Sequence, residues 1–300
     1  MRISSSQIYQ QAVDAMLSKQ ADLAKTQLQI ATGKRILAPS DDPAAATRIL
    51  DLDKTIETTR QYQRNADFAE TRLAYEESLL TEVSDVLQRV RELSVQANND
   101  VYSAQDRQAM AQEVRLNIDS LVQLANSKDA NGEYIFSGFS TDTIPFSDDG
   151  SGGFTYAGDQ GQRNLQIGAK RQVAIGDSGF DVFMKIDDGA GGTSDMFSVL
   201  YDLSVDLEAN APAASTLNRL DSALDEVLNT RTSIGARMNS IDGQRNTNDS
   251  FSLILEENRS TLEDLDYAKA VSQFEQQILA LQASQQSFVK IQGLSLFNYL

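Results

Sequence analysis

Ala66–Ala97, ADFAETRLAYEESLLTEVSDVLQRVRELSVQA, places Ala66, Ala69, Leu73, Glu76, Leu80, Val83, Leu87, Val90, Ser94 and Ala97 at steps that alternate between three and four. That rhythm marks one face of a helix. Upstream the same phase passes through Ala45, Leu52, Thr55, Thr59 and Tyr62, so one helix is expected from Ala44 to about Asn98. At 1.5 Å per residue it would run on the order of 80 Å, far beyond a typical globular helix. A period near 3.5 calls for a coiled-coil-like partner seam.

Both sides of this stretch are punctuated. Asp42-Pro43 supplies an N-cap and a first helical position. Before it, Met16, Leu23, Ile30 and Leu37 recur every seven residues, with Leu17, Ala24 and Ala31 in the adjacent column. Gly33 interrupts that stripe and Pro39-Ser40-Asp41-Asp42-Pro43 closes it. Beyond Asn98-Asn99-Asp100, Ser103 and Asp106 form a capping-box pair for a helix to about Ser127. Asn131-Gly132 signals a turn, and 13 of the 17 glycines lie between Gly132 and Gly192. Phe154-Thr155-Tyr156, Leu165-Gln166-Ile167, Val173-Ala174-Ile175 and Phe180-Asp181-Val182 read as short strands of a small antiparallel domain. Helical pattern returns near Ser194, breaks at Asn210-Ala211-Pro212, and runs from Ala214 towards Arg259. Ser260, Thr261 and Glu263 read as the cap of a final helix with the stripe Tyr267, Val271, Phe274, Ile278, Leu281, Gln285 and Phe288. The chain closes on the apolar run Leu294–Leu300.

The expected fold is mainly α with an inserted small β domain: a long antiparallel coiled-coil-like rod whose N- and C-terminal helices pair at one end. The expected segments are an assembly helix at 1–40, rod at 41–137, β domain at 138–193, rod at 194–265 and a second assembly helix at 266–300. Each terminal helix has one apolar face and is marginal alone. Both ends are therefore expected to be weakly ordered in the monomer and to order on assembly. Met16, Leu23, Ile30, Val271, Phe274, Ile278, Leu281, Phe288, Leu296 and Leu300 are the candidate assembly interface.

Composition narrows the function. The chain has no Cys, His or Trp, which removes thiol nucleophiles, thiolate metal sites and the commonest general base near neutral pH. The net charge of -17 argues against a nucleic-acid partner. Residues 1–40 carry +3 and residues 268–300 carry +1, leaving -21 on the middle. The acid-poor ends hold 13 Gln, as suits segments that bury against copies of themselves. No window reaches the roughly 18 apolar residues of a membrane span, and the first residues contain no apolar signal-peptide core. Asp148-Asp149-Gly150 and Asp187-Asp188-Gly189 lack the spacing of a calcium loop and read as turns. Asp41 and Asp42 read as caps rather than an acid–base pair. Tyr267, Phe274 and Phe288 read as packing rather than a ligand-stacking row. No enzyme, cofactor or metal is expected; a carboxylate-based enzyme or binding protein in the β domain is the competing class.

Four stretches carry a family resemblance. They are Met1-Arg2-Ile3-Ser4; Gly33-Lys34-Arg35-Ile36 with Pro39-Ser40-Asp41-Asp42-Pro43; Asp129-Ala130-Asn131-Gly132-Glu133-Tyr134-Ile135-Phe136-Ser137-Gly138; and Ser295-Leu296-Phe297-Asn298-Tyr299-Leu300. In this order they resemble bacterial flagellin and its hook–filament junction relatives, over about residues 1–140 and 215–300. Ile8-Tyr9-Gln10-Gln11 and the Asn298-Tyr299-Leu300 ending resemble the junction branch, whereas flagellins more often end in Leu and Arg. The resemblance implies an extracellular structural subunit of the flagellum, between another hook-associated junction protein and the first flagellin layer. It also implies terminal helices lining the inner tube, contacts with copies of itself, export without a cleaved signal peptide, and a chaperone shielding the C-terminal helix. The alternative it leaves open is a flagellin forming the filament itself.

Overall fold

The computed structural model describes residues 5–150, 152–188 and 191–293. In chain order the elements are α1 (Ser5–Thr32), α2 (Pro43–Ala97), α3 (Ala104–Ala125), β1 (Phe146–Asp148), β2 (Phe154–Tyr156), β3 (Asn164–Gly168), β4 (Arg171–Ala174), α4 (Gly179–Phe183), β5 (Ile186–Asp187), β6 (Thr193–Ser194), α5 (Met196–Glu208), α6 (Ala214–Glu263) and α7 (Tyr267–Gly293). They form two compact units, one of residues 1–58 and 250–300, the other Thr59–Asp249.

The larger unit has a continuous core. All ten residues of the column that starts at Ala66 and ends at Ala97 are fully buried, Glu76 and Ser94 included. Val114, Ile118 and Leu121 of α3, Leu200, Leu203 and Leu207 of α5, and Leu220, Val227, Ile234 and Ile241 of α6 close over it. Ion pairs Arg91–Asp221 (2.6 Å) and Glu77–Arg231 (2.8 Å) and a bond from Gln63 to Asp249 (3.1 Å) align α6 antiparallel to α2. Pairs open to solvent in this way contribute little energy, Arg91–Asp221 being exposed and Glu77–Arg231 half-buried, so apolar burial carries the packing and the charges follow its register. Ser103 and Asp106 form the expected reciprocal capping box of α3. The C-terminus of α2 is closed by the buried Arg107, which donates to the carbonyls of Ala97 (2.9 Å) and Asn99 (3.2 Å) and to Asn210 Oδ1 (2.6 Å).

The β segment is organised differently from the expected small domain. Its strands form three separate antiparallel pairs, β1–β2, β3–β4 and β5–β6. Phe136, Phe146, Phe154, Phe183 and Phe197 join its interior to the helical core, with Phe146 and Phe183 edge-to-face at 5.2 Å. No element here is longer than five residues, too short to close a core of its own. The run expected as a strand at Phe180–Val182 is instead the helical turn α4. Ser178 Oγ accepts from Phe180 N (3.2 Å), and burial at Ser178, Gly179, Val182 and Phe183 follows a helical period, not alternation. Asp148 and Asp149 accept from the amides of Gly150 (2.7 Å) and Gly153 (3.0 Å), and Asp188 accepts from Gly192 (2.9 Å). These carboxylates are turn formers.

Candidate assembly surface

The smaller unit contains α1, α7, the first turns of α2 and the last turns of α6. Asp42 starts α2 as expected, its Oδ1 accepting from Ala45 N (3.0 Å). Asp41 secures the preceding turn: Oδ2 accepts from Leu37 N and Ala38 N (both 3.1 Å) and Oδ1 pairs with Lys25 (2.6 Å). The Lys25 ammonium, then those two amides, hold this carboxyl below the usual carboxylate range. The expected cap of the last helix is displaced. Ser260 and Thr261 lie inside α6, where Thr261 Oγ1 bonds back to Glu257 O (2.9 Å). Asp266 caps α7 instead, accepting from Lys269 N (3.1 Å).

Between α1 and α2 the chain is bonded to the α6–α7 turn. Arg35 N donates to Glu263 O (2.7 Å) and Leu265 N donates to Gly33 O (2.9 Å). Arg35 also donates to Leu262 O (2.8 Å), and Lys34 pairs with Glu263. At the far end of the same helices Tyr9 meets Phe288, ring centroids 4.9 Å apart. α1 and α7 are therefore antiparallel partners.

Of the sequence-derived interface residues, Met16, Leu23, Ile30, Phe274, Ile278, Leu281 and Phe288 are half-buried on this helix pair. Val271 is exposed. Leu296 and Leu300 lie outside the described residues. The sequence-derived interface does not include four other exposed apolar side chains: Leu17 (55 % exposed) and Leu28 (53 %) on α1, Leu279 (64 %) and Val289 (64 %) on α7. Each helix thus has a column half-covered by the other and a further set left to solvent. The adjacent column beginning at Leu17 was the available signal, but one sequence does not tell which column faces the partner. Leu50, Phe251, Leu253 and Ile254 add more exposed apolar surface on α2 and α6. Among the described residues of this unit, Ile56 and Leu255 are the large apolar side chains that are buried. A unit with so little interior and so much apolar exterior has the pattern common at interaction surfaces.

Among the described residues no group of three or more acidic side chains is placed to hold a metal, and no helix is long and apolar enough to cross a membrane.

Residues 3–141 match the bacterial flagellin N-terminal helical region and residues 217–300 the bacterial flagellin C-terminal helical region. The chain is 33% identical to flagellar hook-associated protein 3 of Escherichia coli over 99% of both chains. Two solved structures from Legionella pneumophila share the fold. Flagellar hook-associated protein-3 does so at TM-score 0.68 and 22% identity, over 71% of this chain and 98% of that one. The flagellar junction protein FlgL does so at 0.63 and 21%, over 72% and 99%.

Proposed function

The chain belongs to the bacterial flagellin family, and from that premise we propose that it is the structural subunit joining the flagellar hook to the filament. The end-to-end match to hook-associated protein 3 supports the junction position over a filament flagellin. The observation that carries the assembly role is the smaller unit, whose paired helices leave Leu17, Leu28, Leu279 and Val289 in solvent. Burial of such a side chain contributes roughly 1.5–3 kcal/mol, so repeated contacts of this kind hold a polymer together.

The partners that fit are copies of the chain, the adjoining hook-associated junction protein and flagellin. An export chaperone fits the exposed side of α7, covering it until the subunit is delivered, and delivery to the outside proceeds without a cleaved signal peptide. Asp41 and Asp42 support a structural role, because both carboxylates are engaged in capping and ion pairing. Deleting the gene should leave hooks intact while flagellin is released unpolymerised into the medium. Normal filaments on the deletion strain contradict the junction role.

A further inference from the structure

Glu76 occupies a position on α2 that, Ser94 apart, apolar residues fill elsewhere in the column from Ala66 to Ala97, and its side chain is fully buried. Oε1 accepts from Asp177 N (3.0 Å), whereas Oε2 has no hydrogen-bond partner among the described residues. Arg72 Nε, one turn earlier, is also buried and unpartnered. Gly176 lies between them: a Cβ there would stand 3.9 Å from both Arg72 Nε and Glu76 Oε2.

The charges around Glu76 come from every segment packed against it. On α2, Arg72 pairs with Asp129 (2.7 Å) and Glu133 (3.4 Å) of the loop after α3. Arg163, before β3, pairs with Glu133 (2.9 Å). Arg237 on α6 pairs with Asp177, after β4, and donates to Ala174 O (3.2 Å). Three guanidinium groups thus already face three carboxylates, and Glu76 would be an uncompensated fourth anion. A buried unpaired carboxylate is far costlier than a buried carboxylic acid. Burial, reinforced by the Asp177 carboxylate, pushes the Glu76 carboxyl up to about 8, against smaller opposing effects of Arg237, the Asp177 amide and Arg72.

We infer that Glu76 keeps its proton at neutral pH and serves as a proton-controlled latch between α2 and the Gly176–Ser178 segment. When the proton leaves, Glu76 and Asp177 compete for Arg237, and the segment loosens from α2. The sign follows from linkage. Below the ordinary carboxylate range the native and unfolded states both hold the proton. Above that range only the native state does, so the unfolding equilibrium constant rises close to tenfold per pH unit until the native carboxyl ionises near 8.

The chain makes this measurable, because with no His and no Cys almost nothing else titrates between pH 6 and 8. The α-amino group does, but every variant shares it. Urea unfolding of the full chain at pH 6, 7 and 8 should show wild-type stability falling with pH, and Glu76→Gln should flatten the profile. Asp106→Asn should keep the wild-type slope, since the Ser103 hydroxyl and amide hold that carboxyl low and it is ionised in both states from pH 6 to 8. Infrared difference spectra of the wild type should show a protonated carboxyl band at pH 7 that disappears on titration through 8. This second readout stands even where Glu76→Gln does not fold. Parallel pH profiles for wild type and Glu76→Gln, or no protonated carboxyl band at pH 7, overturn the inference, and neither result bears on the junction role.

Discussion

Gly33 ends α1 at φ +72°, its N–H closing on Gln29 O (2.9 Å) and its C=O accepting from Leu265 N. A side chain there meets two obstacles: the left-handed backbone, and Tyr267 Oη only 3.0 Å from where a Cβ would stand. Gly33→Ala should therefore cost about 1–2 kcal/mol of stability, read as a lower urea midpoint for the loss of α1–α7 helicity. An unchanged midpoint would show that the turn relaxes freely. The interruption at Gly33 was legible from sequence, and so were the Asp42 cap and the Ser103–Asp106 box, because each depends on neighbours within a few positions. Glu76 was visible as a member of its column, but its chemistry was not. Its companions Asp177 and Arg237 lie more than a hundred residues away in the chain, and only folding assembles them. Arg107 was likewise unread, since the carbonyls it caps and Asn210 meet it only in three dimensions.

At the scale of elements, legibility follows length. The column along α2 repeats over many turns, and its buried positions agree with the structure from Ala66 to Ala97. The β region offers runs of two to five residues, where a strand and a helical turn share composition, and α4 was misread for that reason. The terminal helices are an intermediate case. Their apolar periodicity was plain, but each has two sets of apolar residues, and the more regular one is the set they half-cover on each other. The two sets separate by mutation. Leu17→Asp or Leu279→Asp, at exposed sites, should leave monomer helicity intact and reduce incorporation into flagella at least tenfold. Leu281→Asp or Ile30→Asp, on the half-buried column, should block incorporation and also lower α1–α7 helicity, with the core of the larger unit still folded. The checks are circular dichroism of purified monomer and the amount of protein retained in sheared flagella. Full incorporation of Leu17→Asp and Leu279→Asp would remove the exposed set from the interface.

On the scale of the whole molecule, charge and burial run broadly in parallel along the chain. The acid-poor, Gln-rich ends belong to the unit with little interior, and most of the acidic middle, though not its two flanks, lies in the unit with a continuous core. A subunit of this kind has its function in its position, and position is observed directly. Electron microscopy of intact flagella carrying a label on this chain should show one short band where the hook ends and the filament begins. Label along the whole filament, or none at the hook's end, contradicts the junction role.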